Sequence, residues 1–312
     1  MQFEIIQPTE ALRPYITRYV FVRADGSTDT MTPPSDDPRF VNGKHVQPLL
    51  PNYGSFVFMR NVVADFNGVI ADGLSIVGAN QTTIGLTTLS GWFEGMLMDF
   101  EPGGMYALLG IDLQQLAGKV LTAKEYGDEG LLQLDSIFKR VEKAEEIAML
   151  LDAFFLGHLP HKEDVNYSRL CKVVAACDAA KGNITAAEMA GVACLSERQF
   201  LRVFRTYIGI PPKQFVRLRR FHKTIQHMQA ESEKYKVESE KYKVESTKLK
   251  VESPKLKVES EKGIDLMSIA LAHGYYDLSH MALEFQQMGC VSPSHFRMLG
   301  IPLSDDFSVF FA

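Results

Sequence analysis

Between Ser196 and Gly209 the apolar residues Phe200, Val203 and Phe204 recur at i, i+3 and i+4, while Arg198, Arg202 and Arg205 occupy the other face. That spacing predicts an amphipathic helix with one buried stripe and one arginine stripe. Ser196 with Gln199 supplies a capping box at its start, and Gly209 supplies its end. Upstream, Thr185 and Glu188 form the box of a shorter helix, Ala190 is small enough to let another helix approach, and Cys194-Leu195 makes a tight turn. Downstream, Pro211-Pro212 opens a third helix carrying Arg217, Arg219, Arg220 and Lys223. A short helix, a turn and a helix with one apolar side is the helix-turn-helix layout.

The same grammar returns after Gly263. Asp265 caps a short helix containing Ile269 and Ala270, Gly274 makes the turn, and Asp277 caps a helix whose buried stripe includes Met281 and Phe285. Gly289 closes it and Ser292-Pro293 begins the next turn. The pairs Ala190/Ala270, Phe204/Phe285, Gly209/Gly289 and Pro212/Pro293 mark two degenerate copies of one module.

Residues 1–125 read differently. RYVFVR, SFVFMRNVV, GLSIVGAN, TTIGLTTL and GMLMDFEP are short β-like runs punctuated by Gly and Pro, which predicts a small cupin-like barrel or sandwich. Residues 131–157 read as helix. The fold class expected is α+β: a β-rich N-terminal part with helices over 1–160, an all-α double helix-turn-helix over 165–300, and a tail over 301–312. Trp92, Phe93 and Tyr106 are candidates for a pocket, with core packing as the blander assignment. The run Glu101-Pro102-Gly103-Gly104 reads as a turn and not as a phosphate cradle. His45 is the lone histidine of the β region, too few for a metal-dependent cupin enzyme. His158 and His161 are expected on a loop.

Between the two modules lies EKYKVESEKYKVESTKLKVESPKLKVES, four near-copies of a seven-residue unit from Glu233 to Ser260. Its apolar residues, Tyr235, Val237, Tyr242, Val244, Leu249, Val251, Leu256 and Val258, are spaced two, five, two, five. A coiled-coil seam needs three and four, so no single stripe results. Lys and Glu nearly cancel, and Pro254 breaks a long helix. The expectation is a solvated, weakly structured insert over 231–262, with a charged helix and a β-hairpin as alternatives.

The 312 residues carry a net charge of −5, and that total hides an asymmetry. Residues 1–182 hold 15 Lys/Arg against 23 Asp/Glu, residues 183–229 hold 8 against 2, and residues 263–300 hold 1 against 3. A cationic block of under fifty residues is an electrostatic footprint for phosphate. No 18-residue apolar run is present, and the N-terminus lacks the basic-then-apolar pattern of a secretory signal. Cys171, Cys177, Cys194 and Cys290 form no C-x-x-C pair and read as thiols of a reducing cytoplasm.

Over roughly residues 165–300 the arrangement resembles the DNA-binding domain of AraC/XylS-type transcription regulators, most specifically in GYYDLSHMALEFQQMGCVSPSHFR. PPKQFVRLRRF looks like the linker-helix start of one subgroup of that family. LRPYITRYVF, LLPNYGSFVF and MDFEPGGMYALLG look similar to its uncharacterised N-terminal domain. The resemblance implies a linker helix ending near Gln229 and a repeat looped out of the connection. Lengthening that loop from ~5 to ~35 residues costs about 1.7 kcal/mol in closure entropy.

It further implies a sequence-specific regulator reading two successive major grooves of double-stranded DNA. The implied reading face is Arg198, Leu201 and Arg202 flanked by Gln199 and Arg205, then Leu278, Ser279 and Ala282 with His280 and Glu284 nearby. Arg217 and Arg220 on the third helix are expected on DNA as well. Glu284 stands where the family often keeps a basic residue. Further partners in this picture are RNA polymerase, a small-molecule effector on the N-terminal part and a second copy of the chain. No catalytic residue, metal or cofactor is implied. The rival expectation is a small-molecule or protein-binding module whose DNA-binding part is impaired by the insertion.

Overall fold

Alternating apolar residues in the first hundred positions build an antiparallel sheet in the computed structural model, which describes residues 2–24, 40–41, 44–49, 52–66, 69–80, 84–88, 93–249, 265–288 and 292–294. The strands are β1 (Gln2–Ile6), β2 (Ile16–Ala24), β3 (Phe40–Val41), β4 (Lys44–Leu49), β5 (Ser55–Phe66), β6 (Val69–Val77), β7 (Ile84–Thr88), β8 (Phe93–Phe100) and β9 (Val120–Thr122). They run in the order β1-β2-β8-β5-β7-β4-β3, with β6 between β5 and β9. The five β-like runs of the sequence correspond to β2, β5, β6, β7 and β8.

Strand β5 is long enough to serve two wings. Ser55–Arg60 pair with β8, whereas Ala64–Phe66 pair with β7, and its register against β6 shifts between Met59 and Ala64. Period-two stripes point Tyr19, Phe21, Phe56, Phe58, Met96 and Met98 to one side. There they meet α4 (Glu129–Phe138) and α5 (Ala144–Leu156), which divide the helical stretch expected over 131–157. Phe58 lies 4.7 Å from Phe138 and Phe100 lies 5.9 Å from Phe155, ring centre to ring centre.

Three short helices, α1 (Gly104–Leu109), α2 (Leu113–Leu116) and α3 (Ala123–Tyr126), lead from the sheet toward these two. The expected turn at 101–104 is present. Glycine is required at Gly104, where a Cβ would sit 2.1 Å from the Tyr15 carbonyl oxygen. Tyr106 packs against Tyr207, ring centres 4.1 Å apart with the planes tilted by 45°, and so belongs to packing and not to a pocket. Trp92 and Cys290 lie outside the described residues.

The C-terminal half comprises α6 (Val165–Ala179), α7 (Ala186–Val192), α8 (Glu197–Ile208), α9 (Pro212–Leu249), α10 (Leu266–Ala272) and α11 (Leu278–Gln287). Helix α9 corrects the sequence reading, because it does not end near Gln229 but continues to Leu249, through the first two repeat units. Nothing between Lys213 and Leu249 is Gly or Pro, and Glu and Lys recur three and four positions apart. Both features favour helix without any buried stripe. Residues 250–264 fall outside the described part.

The two halves share a seam. Tyr53 and Ala79 from the N-terminal half belong to the core of the C-terminal half. Tyr15 stacks on Tyr167 at 5.0 Å, and the Tyr167 hydroxyl donates to the Pro14 carbonyl. Gly209, at φ +82°, ends α8 directly on this seam, where a Cβ would meet the Leu113 carbonyl oxygen at 2.7 Å. Gly209→Ala therefore combines left-handed strain with a clash between halves, and we expect a loss of about 2 kcal/mol or more in urea denaturation. Gly118→Ala, at φ +69° with nothing within 4 Å, should lose only the strain. Equal losses for the two variants would show that the halves do not meet at Gly209.

Candidate nucleic-acid interface

Both helix-turn-helix modules are assembled by local rules. Thr185 with Glu188 and Ser196 with Gln199 form reciprocal capping boxes on α7 and α8. Asp265 and Asp277 accept backbone N–H groups at the starts of α10 and α11. In the first turn Cys194 takes φ +54°, and the Leu195 N–H returns to the Ala190 carbonyl at 3.0 Å. In the second turn Gly274 takes φ +75°, and the Tyr275 N–H returns to the Ala270 carbonyl at 3.0 Å. The left-handed residue and its closing hydrogen bond thus repeat eighty positions apart, which is the internal duplication expressed as geometry.

On α8 the apolar stripe is inside, with Phe200 and Phe204 fully buried. Arg198, Arg202 and Arg205 are exposed, and none of them makes an ion pair among the described residues. Gln199 is exposed as well, but its side-chain oxygen accepts from the N–H and hydroxyl of Ser196, at 3.2 and 2.8 Å. Leu201 departs from the expected face, since it is half-buried and packs on the core of this half. On α11, Met281 and Phe285 are buried, Leu278 and Ser279 are exposed, and Ala282 is half-buried. His280 turns back on its own module, where Nδ1 accepts the Tyr276 N–H at 3.3 Å and the ring lies edge-on to Tyr275.

Arg217 and Arg220 require a correction. Glu284, 4% exposed, points inward from α11 against α9. It accepts from Arg217 Nε at 3.0 Å and from Arg220 at 2.7 and 3.2 Å. Arg217 also reaches Gln287, and Arg220 lies over the Tyr275 ring at 5.0 Å. These two guanidiniums hold the second module onto α9 and are not presented for phosphate. The same helix face continues with the Thr224 hydroxyl 3.5 Å from the Tyr275 hydroxyl and with His227 Nδ1 3.1 Å from His273 Nε2. Burial, and then the neighbouring His227, lowers His273 to about 4, so it remains a neutral partner.

The clamp left a trace in the sequence. Met281, Glu284, Phe285 and Met288 share one helical stripe, and a lone carboxylate on a buried stripe calls for a cation opposite. Removing that carboxylate strands two guanidiniums. Glu284→Ala should destabilise docking of the second module by about 3 kcal/mol, the low end for a broken buried pair. Hydrogen exchange is expected to speed up in residues 266–287 while α8 keeps its protection. Unchanged exchange in α10 and α11 would show that the clamp is dispensable.

No family model matches the chain, and no curated protein matches it. Among solved structures it is similar to ToxT from Vibrio cholerae in a 1.65 Å structure, with 11% identity, 82% of this chain and 94% of that chain covered, and a TM-score of 0.43. A structure of ToxT from Vibrio cholerae O395 bound to (E)-4-(8-methylnaphthalen-1-yl)but-3-enoic acid is similar at 11% identity, covering 82% of this chain and 95% of that chain, with a TM-score of 0.44. The AraC-like transcriptional activator CuxR is similar at 10% identity over 70% of this chain and 84% of that chain, with a TM-score of 0.23.

Proposed function

We propose that the chain is a sequence-specific, double-stranded-DNA-binding transcription regulator of the AraC/XylS type, reading two successive major grooves. The observation that carries this proposal is the exposed arginine face of α8, with Arg198, Arg202 and Arg205 making no ion pair among the described residues, on the second helix of a helix-turn-helix. In a major groove such a guanidinium donates two hydrogen bonds to guanine O6 and N7. Leu278 and Ser279 offer the second groove apolar contact with thymine methyl groups and a hydroxyl. Asymmetry between the modules follows, because residues 183–229 hold 8 Lys/Arg against 2 Asp/Glu whereas residues 263–300 hold 1 against 3. The N-terminal part is assigned effector binding or self-association, RNA polymerase is the downstream partner, and the cytoplasm is the compartment. No reaction is assigned to the chain.

The repeat fits this reading as an excursion and not as a spacer between modules. The second module docks on α9 between Arg217 and His227, ahead of the first repeat unit. Helix α9 then runs on for ~30 Å past Met228 before the chain returns to Asp265. An impaired reader is disfavoured, because the insertion leaves the docking contacts in place.

Arg202→Ala should weaken specific binding by about 1–3 kcal/mol and relax preference at one base position in a selection of bound fragments. Unchanged affinity and preference would remove α8 as the reader. Deleting one unit, Lys241–Thr247, shortens the arm by ~10 Å but leaves the clamp untouched, so DNA affinity should stay within a few-fold. A steep loss across a series of unit deletions would instead place the arm between the modules or on the DNA.

A further inference from the structure

A cavity of about 260 Å³ lies in the seam between the β-rich half and α9. One wall is the sheet, with Tyr53 ahead of β5, Asp99 at the end of β8 and Glu101 just beyond it. The other wall is α9, which contributes Arg219, His222 and Lys223. The volume falls below the roughly 300–1,000 Å³ of sites for drug-sized ligands, so it suits a smaller metabolite.

The charges on the two walls do not cancel locally. On the sheet wall, Arg18 pairs with Asp99 at 3.2 Å, and Asp99 also accepts the Ser55 hydroxyl at 2.9 Å. That leaves Glu101, whose hydrogen-bond donor among the described residues is the neutral Thr17 hydroxyl, at 3.1 Å on one oxygen. Burial raises the Glu101 carboxyl above its ordinary range, against the opposing pull of the Thr17 hydroxyl and of Arg219 across the cavity. On the helix wall, Arg219 and Lys223 share a single carboxylate, Asp178, which Arg219 engages through two nitrogens and Lys223 approaches at 3.8 Å. One negative charge therefore stands in surplus on the sheet side and one positive charge on the helix side.

Tyr53 gives a second, independent indication. It is 7% exposed, and its hydroxyl has no hydrogen-bond partner among the described residues. Arg219 lies beside it, with Cζ 5.9 Å from the ring centre. Burial holds the phenol protonated, against the pull of that arginine. A buried donor without a partner on a cavity wall is costly unless something fills the space.

We propose that this seam binds a small zwitterion of the amino-acid class, with its ammonium on Glu101 and its carboxylate on the Tyr53 hydroxyl and the cations of α9. Such a ligand neutralises both surplus charges and gives the Tyr53 hydroxyl an acceptor. A plain carboxylic acid leaves Glu101 unpaired, and a plain amine leaves Tyr53 and Lys223 unserved. Binding of this kind joins the sheet to the helix on which the second module is docked.

Calorimetry on the full chain with a panel of protein amino acids tests the proposal. The best binder is then compared with the amine lacking its carboxylate and the acid lacking its ammonium. Each should bind at least about tenfold more weakly, the worth of one charge-assisted hydrogen bond. Glu101→Gln should weaken the zwitterion by a similar factor. Tyr53→Phe removes only an unpartnered hydroxyl, so Tm should hold or rise while binding weakens several-fold. The proposal is overturned if no panel member binds at millimolar concentration, if the amine or the acid alone binds as well as the zwitterion, or if both variants keep full affinity. Binding is read without DNA, so its failure leaves the DNA reading standing, and the reverse.

Discussion

The carboxylate of Glu284, held between Arg217 and Arg220, is the contact on which the C-terminal half depends. Replacing such a buried ionic cluster wholesale with apolar groups is often neutral or even stabilising, so its value here is positional. A hydrophobic contact slides, whereas two guanidiniums on one carboxylate admit a single alignment. The phase of α11 against α9 sets where Leu278 and Ser279 lie relative to the arginines of α8. The reading of two grooves proposed above needs that relation held.

Helix α9 is organised around this requirement. Arg217, Arg220, Thr224 and His227 form the face that meets the second module. Arg219 and His222 lie on a different side and meet Tyr53 of the N-terminal half. A step of two residues turns a helix by about 200°, so one rod presents separate faces to separate partners. Anything that changes the seam with the sheet acts on the same backbone that carries the clamp.

The placement of the clamp also explains why an insertion of this size is compatible with a docked second module. Every contact between α9 and the second module named above is made by residue 227 or earlier, before the repeat begins. The added cost is loop closure, which grows only logarithmically with length. The repeat is helical as far as Leu249 because its composition favours helix. A seam is not needed for that, since charge pairs and propensity act within four residues.

What the sequence by itself determined were features decided by near neighbours. Both capping boxes, the Asp265 and Asp277 caps, the Gly209 stop, the turns at Cys194 and Gly274 and five of the strands were legible, because each depends on residues within a few positions. So was the exposed arginine face of α8, which periodicity alone separates from Phe200 and Phe204. The tertiary structure decided which charges are available. Arg217 finds Glu284 across 67 residues and Arg219 finds Asp178 across 41, and no local pattern distinguishes these arginines from Arg202. The chain packing that brings a carboxylate to one guanidinium and leaves another in solvent exists only once the helices are docked.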